Sequence, residues 1–392
     1  MALLPDEARL LFMASRPDAI SGETYLAALV ASRPDWRVVG ALAEREKLLP
    51  ILWAYMRDHA ELIPADIRKS FRAQAAVTEF RMALTESALA EVLRRLGTEG
   101  IPVMLLKGAA LATTVYGSFL KRPMGDFDVL VRAADAERAW RIMRAEGWRL
   151  ELEGGDQFYE SHHHLPALLD PRGINLVLEI HRAMLPPTGP FVLDEAELWR
   201  EAKPVKVGGA EGWVPSDCHQ LLHLSVHFAW SNMFGGIGRT VRDVATMLAA
   251  GSFDWGRFTS AAMRARAATC AYWTLAITKA LSGTAVPRDV LEQLRPAWPE
   301  PVLRSLERAY ISIGLLRGCP SVLVTKRLWE AGIQPGRSGH GPARPWQANE
   351  LFGQAFHLAG PTGMWGRVSE QLRSGGRWWQ FVKSVGLPGR SM

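Results

Sequence analysis

An α+β fold is predicted: a small mixed β-sheet carried between an N-terminal and a C-terminal helical region. Three observations predict it. Apolar residues recur at three- and four-residue steps through the first hundred positions, strand-like runs alternate with helical segments between 101 and 185, and helical periodicity returns from Ser216. At roughly 150 residues per domain, 392 residues form two or three packed units. The boundaries expected are 1–100 for the N-terminal helical region, 101–185 for the α/β core, 186–331 for the C-terminal helical region, and 332–392 for a linker and a basic, Trp-rich tail.

Each element has a local cause. Between Pro5 and Gly97 the pattern is helical, with apolar steps at 25–30 and 48–56, and prolines at 17, 34, 50 and 64 divide it. From Asp66 to Leu96 there is neither glycine nor proline, and Ala, Leu, Arg and Glu dominate, so one extended helix is expected; Gly97 and Gly100 end it. Strands are expected at Val103–Leu106, Phe127–Val131, Trp148–Leu152, about His164–Leu169 and Leu176–His181, with helices from about Ala109 to Tyr116 and from Asp135 to Glu146. After Pro186-Pro187 and a short polar link, Pro215 precedes a Ser216 or Asp217 cap, and helices continue to about Trp329. The Gly-, Pro-, Ser- and Arg-rich stretch 332–344 is a linker or mobile loop, and no fixed-period repeat marks a solenoid.

Composition excludes several classes. A hydrophobic content of 48% and a charged content of 22% suit a globular chain; no apolar run reaches the ~18 residues that span a bilayer, and positions 1–16 lack a signal-peptide pattern, so the cytoplasm is the expected compartment. Cys218, Cys270 and Cys319 are far apart with no CxxC, which argues against a zinc site or a disulfide framework and for packed, reduced thiols. The net charge of +6 favours an anionic partner without choosing among nucleotide, RNA, phosphopeptide and acidic membrane. The run Arg377-Trp378-Trp379-Gln380-Phe381-Val382-Lys383 either docks on the core as a helix or meets bases or lipid headgroups.

The chemistry-bearing residues lie in the middle. In Gly125-Asp126-Phe127-Asp128-Val129-Leu130-Val131 the strand alternation sends Asp126 and Asp128 to one side, about 7 Å apart, and Phe127, Val129 and Val131 to the other. Two carboxylates held so close repel unless a cation joins them. An oxygen-rich site of that kind suits magnesium or manganese bound with a nucleotide's phosphates, and two such metals clamp an in-line phosphoryl displacement, which makes nucleotidyl transfer the leading reading. About twenty residues earlier, Leu106-Lys107-Gly108-Ala109-Ala110 turns from a strand into a helix: the glycine admits close approach of phosphate to backbone amides, the helix start favours an anion, and Lys107 adds a full charge. In Asn175-Leu176-Val177-Leu178-Glu179-Ile180-His181 alternation puts Asn175, Val177, Glu179 and His181 on one face and Leu176, Leu178 and Ile180 on the other, so a charged residue occupies an otherwise apolar strand and Glu179 needs a metal, a proton or a structural cation such as arginine.

The order Lys-Gly-Ala-Ala-Leu, Arg-Pro-Met-Gly-Asp-Phe-Asp-Val-Leu-Val, His-His-Leu-Pro and Leu-Glu-Ile-His resembles the uncharacterised nucleotidyltransferase family of the DNA polymerase β-like superfamily. The likeness is strongest from Val103 to Arg182 and extends weakly to Leu221-Leu222-His223 and Arg242-Asp243-Val244. It implies a glycine-containing turn at Gly108, an Asp-x-Asp pair at Asp126 and Asp128, and a third acid at Glu179. These three acids are then both the catalytic and the metal-holding residues, with Mg2+ or Mn2+ as cofactor and a nucleoside triphosphate, ATP among them, as co-substrate; Lys107, Gly108, Ala109, Arg122 and His164 are the expected nucleotide contacts. The superfamily turn is usually Gly-Ser or Gly-Gly, whereas this chain has Lys107-Gly108-Ala109. Arg122 either neutralises phosphate charge or pins the turn through a carboxylate, and the sequence leaves both open.

Two histidine runs remain. In His162-His163-His164 alternation divides the side chains between faces, so a metal, a polar role near the acceptor or phosphates, and a structural role all stay open; His164 is preferred because the resemblance covers His-Leu-Pro. His219, His223 and His227 recur every four residues without the glutamate of a zincin, which favours a polar stripe facing the cleft, beside Arg242 and Asp243, over a metal site. The resemblance implies transfer of a nucleoside monophosphate to a hydroxyl or phosphate on a peptide, phosphopeptide or other biosynthetic intermediate, because such genes accompany peptide-tailoring or polysaccharide-assembly enzymes. Alternatives are a tRNA-modifying, toxin-like enzyme, transfer of another phosphate-linked group such as a sugar, and a non-catalytic scaffold.

Overall fold

In a computed structural model of the chain, the structure describes residues 6–14, 29–151, 162–187, 189–315 and 328–333. The Trp-rich run at 377–383, most of the linker and Cys319 lie outside them.

The described N-terminal helices are α1 (Asp6–Ala14), α2 (Trp36–Arg45) and α3 (Leu49–Asp58). Pro50 sits in the first turn of α3, where its missing N–H costs no helical bond. Leu10, Val39, Leu52 and Phe71 form their own apolar core. The expected long helix is α4 (Ala65–Thr98), 34 residues without a break. Its C-terminal half buries Leu89, Val92, Leu93 and Leu96 against Phe127, Val129, Leu178 and Ile180 of the sheet, at about 1.5–3 kcal/mol for each fully buried side chain.

The sheet has seven strands: β1 (Met104–Leu105), β2 (Asp126–Leu130), β3 (Arg149–Leu150), β4 (Leu168–Leu169), β5 (Val177–His181), β6 (Lys203–Val207) and β7 (Ala210–Val214). Their order is β3-β4-β5-β2-β1-β7-β6. β2 runs parallel to β5 and β1 parallel to β7, and the other pairs are antiparallel, so the sheet is mixed as expected. Between β1 and β2 lies α5 (Lys107–Thr114), and between β2 and β3 lies α6 (Ala136–Ala145).

β6 and β7 lie in the stretch expected to be a short polar link before the helices that start at Ser216, so this part of the C-terminal helical region is strand instead. Gly208 and Gly209 both take positive φ, 52° and 81°, the conformation of a two-residue hairpin turn between short alternating runs. Pro204 is tolerated because β6 is an edge strand. Gly212 of β7 faces α4, where a Cβ would meet Leu93 at 3.3 Å, so a bare backbone lets the helix close onto the strand.

The C-terminal helices are α7 (Glu195–Arg200), α8 (Asp217–Val226), α9 (Ile237–Ala249), α10 (Trp255–Arg264), α11 (Ala268–Ser282), α12 (Arg288–Leu294) and α13 (Glu300–Leu315). Ser216 caps α8 by accepting from the His219 N–H, as its position before the apolar run indicates. Trp230, Trp273, Phe234 and Tyr310 fill the core here, with Phe234 stacked on Tyr310 at 4.0 Å. That core reaches the sheet through Met104, Leu106 and Leu130, so the helices pack on the face of β2 that carries the aspartates.

Candidate functional site

Asp128 and Glu179 are direct partners in the parallel β2–β5 register, as are Asp126 with Val177 and Leu130 with His181. Alternation does the rest. Phe127 and Val129, with Leu178 and Ile180, point into the sheet core, so Asp126, Asp128, Glu179 and His181 share the opposite face. The ligand atoms of Asp128, Glu179 and His181 lie within 4.8 Å of one another.

His181 is fully buried, and its Nε2–H donates to Asp128 Oδ1 at 2.9 Å while lying 3.4 Å from Glu179 Oε2. Burial alone would lower the imidazole pKa, but hydrogen bonds to Asp128 and Glu179 outweigh it and hold it above the ordinary histidine range. The strand pattern set His181 beside Glu179, and that was the available signal; its role as the link between two acids comes from the register.

Lys107 completes this group. Its Nζ lies 2.5 Å from Asp128 Oδ1 and 4.0 Å from Glu179 Oε2. Burial would pull its pKa down, yet Asp128 and Glu179 together raise it, and the Asp128 carboxyl is in turn held well below its usual range against its own burial by Lys107 and His181. The backbone explains the aim of the side chain: Lys107, not Gly108, adopts the left-handed conformation, with φ of 46°. Gly108 serves differently, since a Cβ there would meet the Arg122 guanidinium at 3.3 Å. Ala109 is buried in the sheet core. The N–H groups of Lys107, Gly108 and Ala109 precede the first bond of α5, which Ala110 N–H donates to Leu106 O at 3.3 Å.

Asp126 stands apart from the tight cluster. Its side chain is 48% exposed and pairs with Lys47 at 3.5 Å. Lys47 follows α2 with φ of 55°, and burial lowers its pKa against the pull of Asp126. No local pattern marked Lys47, because it belongs to a helical connection 79 positions away.

Of the two roles open for Arg122, the structure shows the carboxylate partner. Its Nε and Nη2 donate to Oδ1 and Oδ2 of Asp243, both at 2.6 Å, and Nη1 donates to Pro123 O at 2.8 Å. Tyr116 donates to the same Asp243 at 2.9 Å, and all three groups are buried. The guanidinium therefore ties the turn before β2 to α9 from beneath Gly108.

His164 forms an antiparallel bridge with His181; its Nδ1–H donates to Leu165 O at 2.7 Å and its Nε2 lies 3.9 Å from Glu179. The rings of His162 and His164 are 4.2 Å apart, and that of His163 is 5.0 Å from His181, so the run lines the cluster rather than dividing around it. Burial first, and then the neighbouring histidines and Lys107, push His162 down to about 3 and His163 well below the ordinary histidine range.

The four-residue histidine spacing does not act as one stripe. His219 turns to Ser216 at 2.9 Å and Glu201 at 3.5 Å. His223 is buried and His227 half-buried, and both feel Lys107. His227 begins a π-helical turn (His227–Ser231), and its Nε2 accepts from Asn232 at 3.0 Å, which fixes the neutral ring. Among the described residues, the clustered donor sets are His162–His164, Asp128–Glu179–His181 and Glu197–Glu201–His219.

The middle set is the one that combines oxygen donors with a phosphate-compatible helix start, and hard oxygens beside one imidazole suit Mg2+ or Mn2+. No helix is long and apolar enough to cross a membrane among the described residues. A family model described as "Uncharacterised nucleotidyltransferase" matches residues 32–283, a span that contains every residue of this site. A comparison with curated proteins finds none that matches the chain.

Proposed function

Since this chain belongs to the uncharacterised nucleotidyltransferase family and is a transferase of nucleotidyl groups, we propose that it moves a nucleoside monophosphate from a nucleoside triphosphate to a hydroxyl or phosphate of a peptide or other biosynthetic intermediate, breaking the bond between the α- and β-phosphates and releasing pyrophosphate. The observation that carries this reading is the in-register pairing of Asp128 with Glu179 beside the start of α5.

Asp126, Asp128 and Glu179 are the residues that would hold Mg2+ or Mn2+. Such an ion, when bound, neutralises charge on the triphosphate and lowers the pKa of the acceptor hydroxyl. The chain supplies the rest. Glu179 Oε2 receives the acceptor's proton, and His181, 3.4 Å from that oxygen and 2.9 Å from Asp128, fixes the spacing of the two carboxylates. The first-turn amides of Lys107, Gly108 and Ala109, with the Lys107 and Lys47 ammonium groups, meet the phosphates. Arg122 acts beneath them by holding the Gly108 turn in place, and His164, 3.9 Å from Glu179, borders the acceptor side.

The test is product mass. The protein is incubated with Mg2+, each nucleoside triphosphate in turn, and peptide, phosphopeptide, sugar or tRNA acceptors, and products are read by mass spectrometry. A gain of one nucleoside monophosphate that disappears in the Asp126→Asn/Asp128→Asn variant supports the reading. A different added mass identifies another transferred group, and full activity in the double variant rejects the metal site.

A further inference from the structure

Lys107 sits where a metal would be expected. Its ammonium is 2.5 Å from Asp128 Oδ1 and 4.0 Å from Glu179 Oε2, and the side chain is only 14% exposed. Asp128 Oδ1 also accepts from His181, so the inner acid already has two nitrogen partners on one oxygen. A divalent ion held by these same two carboxylates would lie at ion-pair distance from that ammonium, and like charges so close in a buried site repel strongly. Both cannot occupy it.

The backbone gives the lysine somewhere to go. Lys107 is the first residue of α5, its φ of 46° is a strained conformation for a side-chain-bearing residue, and its four-carbon stem leaves from the same turn as the Gly108 and Ala109 amides. Rotation about the stem therefore carries the ammonium from the carboxylates to the mouth of the helix start, where phosphate would lie.

We propose that Lys107 is an exchangeable internal counterion: it bridges Asp128 and Glu179 in the metal-free protein, is displaced by the divalent ion, and is thereby delivered to the nucleotide's phosphates. The inference rests on the metal-site reading above and adds a coupling to it. Metal entry creates the lysine's phosphate-binding position, and phosphate in turn holds the lysine away from the metal, so metal and nucleotide each strengthen the other's binding.

The probe is Mn2+ alone, titrated into the full chain and into the Lys107→Gln variant by electron paramagnetic resonance. The variant should bind Mn2+ at least tenfold more tightly than the wild type without nucleotide, and the further gain in Mn2+ affinity on adding nucleotide should shrink. Because this variant also removes a buried ion pair, a second measurement uses the wild type: amine acylation read by mass spectrometry, with exposed Lys203 as the reference. Labelling of Lys107 should rise severalfold at saturating Mn2+. Equal or weaker Mn2+ binding by the variant, or Lys107 labelling that Mn2+ does not change, overturns the exchange while leaving the metal site standing. Failure of both proteins to bind Mn2+ overturns the metal site itself and the exchange with it.

Discussion

Arg122 and Asp243 are 121 positions apart in sequence and meet through two parallel hydrogen bonds of 2.6 Å in the interior. A planar fork on a carboxylate is the strongest geometry an ion pair offers, and here it joins the loop before β2 to α9. The candidate site is therefore held as much by the helical region as by its own sheet.

Removing either partner leaves the other as an uncompensated buried charge. We expect Arg122→Ala and Asp243→Ala each to cost about 3–5 kcal/mol in urea unfolding, with the double variant losing much less than the sum. Additive losses would show that the two residues do not act as a pair.

The two aspartates should separate by stability. Asp126→Asn removes a half-exposed ion pair and should shift stability by about 0.5 kcal/mol or less, whereas Asp128→Asn removes the negative charge shared by the half-buried Lys107 and the buried His181 and should cost about 3 kcal/mol. Both should abolish metal-dependent turnover. Thermal melting alongside product assays checks this, and equal melting temperatures would contradict the different environments of the two carboxylates.

Glu179 faces an acid, a histidine and a lysine without being the principal partner of any, so Glu179→Gln should retain the fold. Loss of a general base lowers turnover by about 10²–10⁴-fold. The test is turnover followed across pH together with unfolding; wild-type turnover in a folded variant would remove Glu179 from the proton path.

Burial, aided by Lys107 and His181, pushes His223 down to about 3, and burial, aided by Lys107 and His223, keeps His227 well below the ordinary range. Each therefore has a folded pKa below its unfolded value near 6.5, so the unfolded chain binds more protons between them. Stability from these two rings is present above about 6.5 and falls as the pH drops, by up to about 1.4 kcal/mol per pH unit for each. His181 has the opposite sign: its raised pKa contributes stability below about 6.5 that is lost as pH rises through its folded value. Urea unfolding at pH 7 and pH 5 should show a steeper acid loss in the wild type than in His223→Gln; identical slopes would refute the neutral buried ring.

The sequence by itself determined the elements whose causes are local. Two-residue alternation set Asp126 with Asp128 and Glu179 with His181, and the absence of glycine and proline over 66–96 specified the long helix that the structure shows as α4. It did not specify the β6–β7 hairpin, which takes its place in the sheet through the pairing of β7 with β1. Tertiary structure alone decided which residues meet. The Asp128–Glu179 register, the Lys47–Asp126 pair, the Arg122–Asp243 fork and the inward aim of Lys107 join residues 21 to 121 positions apart. Periodicity says which face a side chain takes; only the packing of one element on another says what stands opposite it.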